Sequence, residues 1–206
     1  MALGNDEGRF AYVNITKGKL AIKRDNEIVY FNYIEGYLTG LDIREDEYQG
    51  RKYQKLCLSI RDNPEDYQLQ MRFDSGYARA FCNMVEHLDL KAKIKIKPTY
   101  EEKEGKGSSG MFINQNGVAI KWKYTKDHPH DLPLLEKVNY KGQDMWDNSK
   151  QQQFYYELLM HKLKPLLSGP YSLLNGPAHQ LNEKPDAGSR VPTADEITQP
   201  IDDLPF

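Results

Sequence analysis

Within a dozen residues the chain changes its apolar period from two to nearly four, and that switch constrains the fold more than any other stretch. Tyr67, Leu69, Met71 and Phe73 alternate with Gln68, Gln70 and Arg72, the pattern of a strand with one buried face. Directly afterwards Tyr77, Phe81, Val85 and Leu88 recur at intervals of four, four and three. That is one face of a helix, with Asp74 and Ser75 as candidate caps. A half-buried strand running straight into an amphipathic helix calls for a sheet with a helix laid against it.

The flanking segments extend this reading. Residues 28–43 form a β-prone run interrupted by Gly36 and Gly40, where a strand can bend or bulge. Residues 44–50 read as a polar turn, and 53–60 as a second strand with Gln54, Leu56, Leu58 and Ile60 on one face. Residues 62–66, centred on Pro64, are a loop. After the helix, Ala92, Ile94, Ile96 and Pro98 alternate with Lys91, Lys93, Lys95 and Lys97. Two hairpins flank this middle: residues 10–15 with 20–23 around Gly18, and 111–113 with 118–122 around Asn116-Gly117.

The order of the middle, three strands, a helix and two strands with the first strand bent at glycine, resembles the OB-fold. The expectation is a mainly β protein: an OB-fold-like five-stranded barrel with an added N-terminal hairpin, one helix between strands three and four, and a C-terminal helix. That last helix is expected over 149–167, where Phe154, Tyr155, Leu158, Leu159, Leu163 and Leu166 make an apolar stripe and Gly169 ends it. The stripe is expected to cover the barrel or to make an oligomer contact. Residues 101–110 are expected to be a flexible loop between strands four and five, and 126–146 irregular.

Six of the eleven prolines lie beyond Ser168 and no apolar periodicity survives there, so residues 1–167 read as one domain and 168–206 as a disordered tail. The net charge of −2 divides unevenly between them. The tail sets Lys184 and Arg190 against six acidic residues, for −4, which leaves the body at +2. A basic body with an acidic arm suggests a nucleic-acid surface and a separate partner arm. Cys57 and Cys82 are too few for a disulfide framework or a zinc site. With no apolar leader and no run long enough to span a bilayer, the expected setting is soluble and cytoplasmic.

Four lysines two residues apart on one strand face, Lys91, Lys93, Lys95 and Lys97, repeat at roughly 6 to 7 Å, a spacing suited to successive phosphates of an extended single strand. The bland reading is an edge strand kept from aggregating by lysine. Lys52 and Lys55 in the second strand, and Lys121 and Lys123 in the fifth, tilt the balance toward binding. Tyr37, Tyr53 and Trp122 are the candidate stacking platforms, since base stacking is indifferent to sequence. Gly105-Lys-Gly107-Ser-Ser-Gly110 and Val118-Ala-Ile-Lys121 imitate kinase motifs. No catalytic-loop or metal-binding motif follows, however, and a strand rather than a helix succeeds the glycines. The histidines of residues 127–131 lack the further ligands a metal needs. No catalytic residue, metal or cofactor is expected.

The chain closes on Ile201-Asp202-Asp203-Leu204-Pro205-Phe206. Proline restricts the backbone before binding, the aromatic offers an apolar anchor, and the carboxylates suit a basic pocket. This ending resembles the C-terminal tip of the bacterial single-stranded DNA-binding protein family, with two consecutive aspartates where three are commonest and leucine where isoleucine is usual. The resemblance implies single-stranded DNA as ligand. It also implies replication, recombination and repair enzymes as partners of Asp202, Asp203, Leu204, Pro205 and Phe206, in a bacterial cell or a phage-infected host. A homo-oligomer is compatible with it. The competing reading is a protein-interaction adaptor that binds no nucleic acid. The discriminating feature is whether the lysine strand shares an exposed face with the candidate aromatics.

Overall fold

The computed structural model describes residues 11–168, except 64, 104, 141 and 142. The period-two segment forms its strand, β6 (Glu65–Arg72), and the helix follows as α1 (Gly76–Met84). Ser75 caps it, its Oγ accepting the Ala78 N–H at 3.3 Å. The final interval of three, from Val85 to Leu88, has its own cause: the helix tightens into a 3-10 turn over Val85–His87. Phe81 and Val85 are buried, with Tyr77 and Leu88 packed at the margin of the same core.

Two long strands precede β6, namely β4 (Ile34–Tyr48) and β5 (Arg51–Asp62). Gln49 and Gly50, both at positive φ, join them in a two-residue turn. The register shifts between Leu38 and Gly40, so β4 bends in its glycine segment as expected. After α1 come β7 (Ile94–Lys103) and β8 (Lys106–Gln115), an antiparallel pair in register from Lys95–Asn114 to Lys103–Lys106. Residues 101–103 and 106–110 are therefore hairpin strand and not a flexible loop. Because β4 pairs with both β5 and β7, and α1 lies between β6 and β7, these five strands have an OB-fold-like order.

What departs from a closed barrel is the role of the N-terminal hairpin. Its strands β1 (Ala11–Thr16) and β2 (Lys19–Arg24) are followed by β3 (Glu27–Phe31), and β1 pairs in parallel with β6. The nine-stranded sheet runs β3-β2-β1-β6-β5-β4-β7-β8-β9, where β9 is Val118–Ala119, and it is not closed. It curls nonetheless. The Gly18 N–H donates to the Tyr77 hydroxyl at 3.0 Å, and a Cβ on Gly18 would lie 2.6 Å from the Tyr100 nitrogen. The β1–β2 turn thus sits against both α1 and β7.

Further expectations are corrected. Residues 28–43 are two strands, because β3 belongs to β2 and the chain turns at Asn32 and Tyr33 before β4. Residues 126–146 are not wholly irregular, since β10 (Glu136–Tyr140) and β11 (Gln143–Asp147) form a separate hairpin. The C-terminal helix has a π-helical middle, Leu158–Leu163, between α2 (Ser149–Glu157) and α3 (Lys164–Ser168). Its wider turns keep Tyr155, Leu159, Leu163 and Leu167, spaced by four, on one buried face, whereas Leu166 is 63% exposed. This face joins the main core, and α3 packs against β4. No helix among the described residues is long and apolar enough to cross a membrane.

Candidate nucleic-acid interface

Strand parity decides what the sheet shows to solvent. In β4, Ile34, Gly36 and Leu38 point to the core, so Glu35 and Tyr37 point outward with Tyr33 just ahead of them. In β7, Ile94, Ile96 and Pro98 are buried, which turns Lys95 and Lys97 outward. Register then aligns the two strands: Glu35 faces Lys95 and Gly36 faces Ile94. The Lys95 Nζ lies 3.7 Å from the Tyr33 ring centroid and 3.6 Å from Glu35 Oε2. Just ahead of β7, Lys93 Nζ lies 5.7 Å from the Tyr37 ring centroid and 2.9 Å from Asp62 Oδ1, a hydrogen bond that raises the lysine pKa. Lys97 is paired in register with Phe112, which is 61% exposed. Lysines and aromatics therefore alternate across one outward face.

Lys91 belongs elsewhere, because β7 begins only at Ile94 and the Lys91 N–H donates to Asp89 Oδ1 in the preceding turn. The regular stripe of four is thus two strand lysines plus Lys93.

A second cluster stands at the far end of the same face. Tyr53, Lys55, Ser59 and Arg61 share one side of β5, with the buried Cys57 between Lys55 and Ser59, and Arg61 faces Tyr37. Eight residues of strand set the clusters roughly 26 Å apart, about four nucleotides of extended strand. Here Lys55 Nζ and Arg72 Cζ lie 5.9 and 5.6 Å from the Tyr53 ring centroid. The Tyr53 hydroxyl donates to Asp46 Oδ2 at 3.1 Å, and Lys55 pairs with the same carboxylate. Burial, then that hydrogen bond, pushes the Tyr53 phenol up to about 12. Burial works to raise the Asp46 pKa too, but hydrogen bonds from Lys55, the Glu47 N–H and Tyr53 hold it below the usual carboxylate range. Lys52 is exposed beside this cluster.

The third expected group is separated from these two. Lys121, Trp122 and Lys123 lie beyond the short β9, outside any strand, and are held to the end of α1. The Lys123 N–H donates to the Asn83 carbonyl at 2.7 Å and its Nζ pairs with Glu86 at 2.8 Å, while Lys121 O lies 2.9 Å from His87 Nδ1. Trp122 is half-exposed there. The fifth strand of the OB-like core is β8, so these three do not extend the outward face.

Three residues of the face escaped sequence reasoning. Tyr33 shares the parity of Tyr37, a signal that the run of residues 28–43 carried in the sequence. Phe112 sits between the buried Met111 and Ile113 and so had to point out. Arg72 was visible as the polar partner of Met71, but its approach to Tyr53 depends on the pairing of Lys55 with Arg72 across β5 and β6. Asp202, Asp203, Leu204, Pro205 and Phe206 lie outside the described residues.

Set against known proteins, the chain matches no family model and no curated protein. Among solved structures it is similar to the solution NMR structure of the OB domain of Ta0387 from Thermoplasma acidophilum. The two are 16% identical, the match covers 48% of this chain and 85% of that one, and the TM-score is 0.24.

Proposed function

We propose that the protein is a non-catalytic single-stranded DNA-binding protein of replication, recombination and repair, acting in the cytoplasm. Its OB-like body holds the strand and its C-terminal tip recruits partner enzymes. The observation that carries this reading is the outward face on which Lys95 and Lys93 stand over the rings of Tyr33 and Tyr37. Ammonium groups meet phosphates and rings meet bases, with little readout of sequence.

Fluorescence anisotropy with labelled oligo-dT tests it. Binding is expected to be salt-sensitive and much tighter than to duplex. Tyr33→Ala with Tyr37→Ala is expected to weaken it at least fivefold, at about 1 to 3 kcal/mol per stacked base. Deleting residues 202–206 is expected to leave DNA binding intact and to abolish partner capture. Equal affinity for duplex, or indifference to loss of both tyrosines, would overturn the reading in favour of a protein adaptor.

A further inference from the structure

The outer strand β3 has few of the usual protections of a sheet edge: it is short, and its one charge, Glu27, sits at its end. It carries no lysine, proline or bulge, and its five pairs with β2 run unbroken. Ile28, Val29, Tyr30 and Phe31 are each 38–57% exposed, so both faces of the strand are apolar and open.

The turn before β3 determines which backbone groups are free. Asp25 and Asn26 both have positive φ, at 50° and 66°, and join Arg24 to Glu27 in a two-residue hairpin. The flanking pair of such a hairpin is hydrogen-bonded, and bonding alternates along the ladder. Glu27, Val29 and Phe31 therefore turn their N–H and C=O groups to β2. Ile28 and Tyr30 turn theirs outward, where no strand among the described residues pairs with them.

We propose that β3 pairs antiparallel with β3 of a second copy about a two-fold axis through Val29. This register overlaps all five residues and sets Ile28 of each copy opposite Tyr30 of the other, so the outward groups exchange four hydrogen bonds. The same pairs are aromatic against β-branched, a favourable cross-strand combination. Charge selects the direction: Glu27 is the strand's one charged residue and sits at its end. Antiparallel pairing holds the two copies of Glu27 roughly 13 Å apart, while parallel pairing would set them side by side. The contact is isologous, so it closes at a dimer and does not propagate.

The test uses the full chain without DNA, so its result stands apart from the proposed function. Light scattering after size exclusion at tens of micromolar is expected to give twice the 23.9 kDa chain mass. Val29→Lys, which places two ammonium groups face to face, is expected to give a folded monomer with an unchanged far-UV circular dichroism spectrum, whose melting temperature no longer depends on protein concentration. Val29→Cys reports the register independently. Val29 would face its own copy in a non-hydrogen-bonded pair with Cα atoms about 4.5 Å apart, within disulfide reach, and the native Cys57 and Cys82 are buried. Mild oxidation should cross-link it readily and Ile28→Cys far less. A wild-type monomer at these concentrations would overturn the proposal, as would a dimer that survives Val29→Lys and does not cross-link through Val29→Cys.

Discussion

Gly36 shows how closely a single residue is fitted. A Cβ there would lie 2.6 Å from the Arg61 carbonyl oxygen and 2.8 Å from Ile60 Cγ2, and backbone cannot move aside as a flexible side chain can. Gly36→Ala is therefore expected to cost about 1 to 3 kcal/mol through overpacking, read as a lower urea midpoint at unchanged slope. A loss below about 0.5 kcal/mol, the range of an ordinary surface change, would contradict the fit. The position was legible in the sequence as a place where a strand bends, but not its neighbour. The same division holds for the lysines. Their outward parity could be read from Ile94, Ile96 and Pro98, whereas their partners Asp62 and Glu35 come from strands whose register the sequence does not display. Asn83 is another such case: its Oδ1 accepts the buried Tyr155 hydroxyl at 2.9 Å, across 72 residues of chain.

At the scale of elements, legibility followed burial. Strands with one buried face left an alternating pattern and were found. The β10–β11 hairpin went unread because its side chains are exposed or only half-buried where described, so no apolar period marks it. The C-terminal helix was legible as an element, but its π-helical middle was not, and the stripe was followed to Leu166 instead of Leu167. Lys164 anchors that helix to β4 through Asp42 at 2.8 Å. The hydrogen bond from Lys164 is the main influence on the Asp42 carboxyl; burial opposes it and Arg44 assists, and the balance lies below the ordinary 3.8. A depressed folded pKa adds stability above the unfolded value and loses it as pH falls through the folded one. Lys164→Met is thus expected to destabilise at pH 7 by about 0.5 kcal/mol, as suits a part-exposed pair. The difference from wild type should fade as pH falls below the ordinary 3.8 and through the depressed folded value, by urea unfolding at each pH. A gap as large in acid as at neutrality would exclude the ion pair as its cause.

Across the whole molecule the outward face is basic in composition yet locally neutralised. Lys93, Lys95 and Lys55 each pair with an acid, so a phosphate must displace Asp62, Glu35 or Asp46. If the face binds a single strand, Glu35→Gln with Asp62→Asn should tighten oligo-dT binding several-fold at low salt. It should also steepen the logarithmic salt dependence by about 0.7 for each lysine freed to meet a phosphate. An unchanged slope in a salt titration would place the DNA elsewhere. The parallel pairing of β1 with β6 has a different consequence, which concerns time. Ala11 takes as its partner Tyr67, fifty-six residues further along the chain, whereas β1–β2–β3 and β4–β5–β6 are local antiparallel runs. Each run can assemble on its own. Joining them closes a long loop, so the seam between β1 and β6 belongs late in folding. During synthesis β1 must wait for a neighbour that has not yet been made.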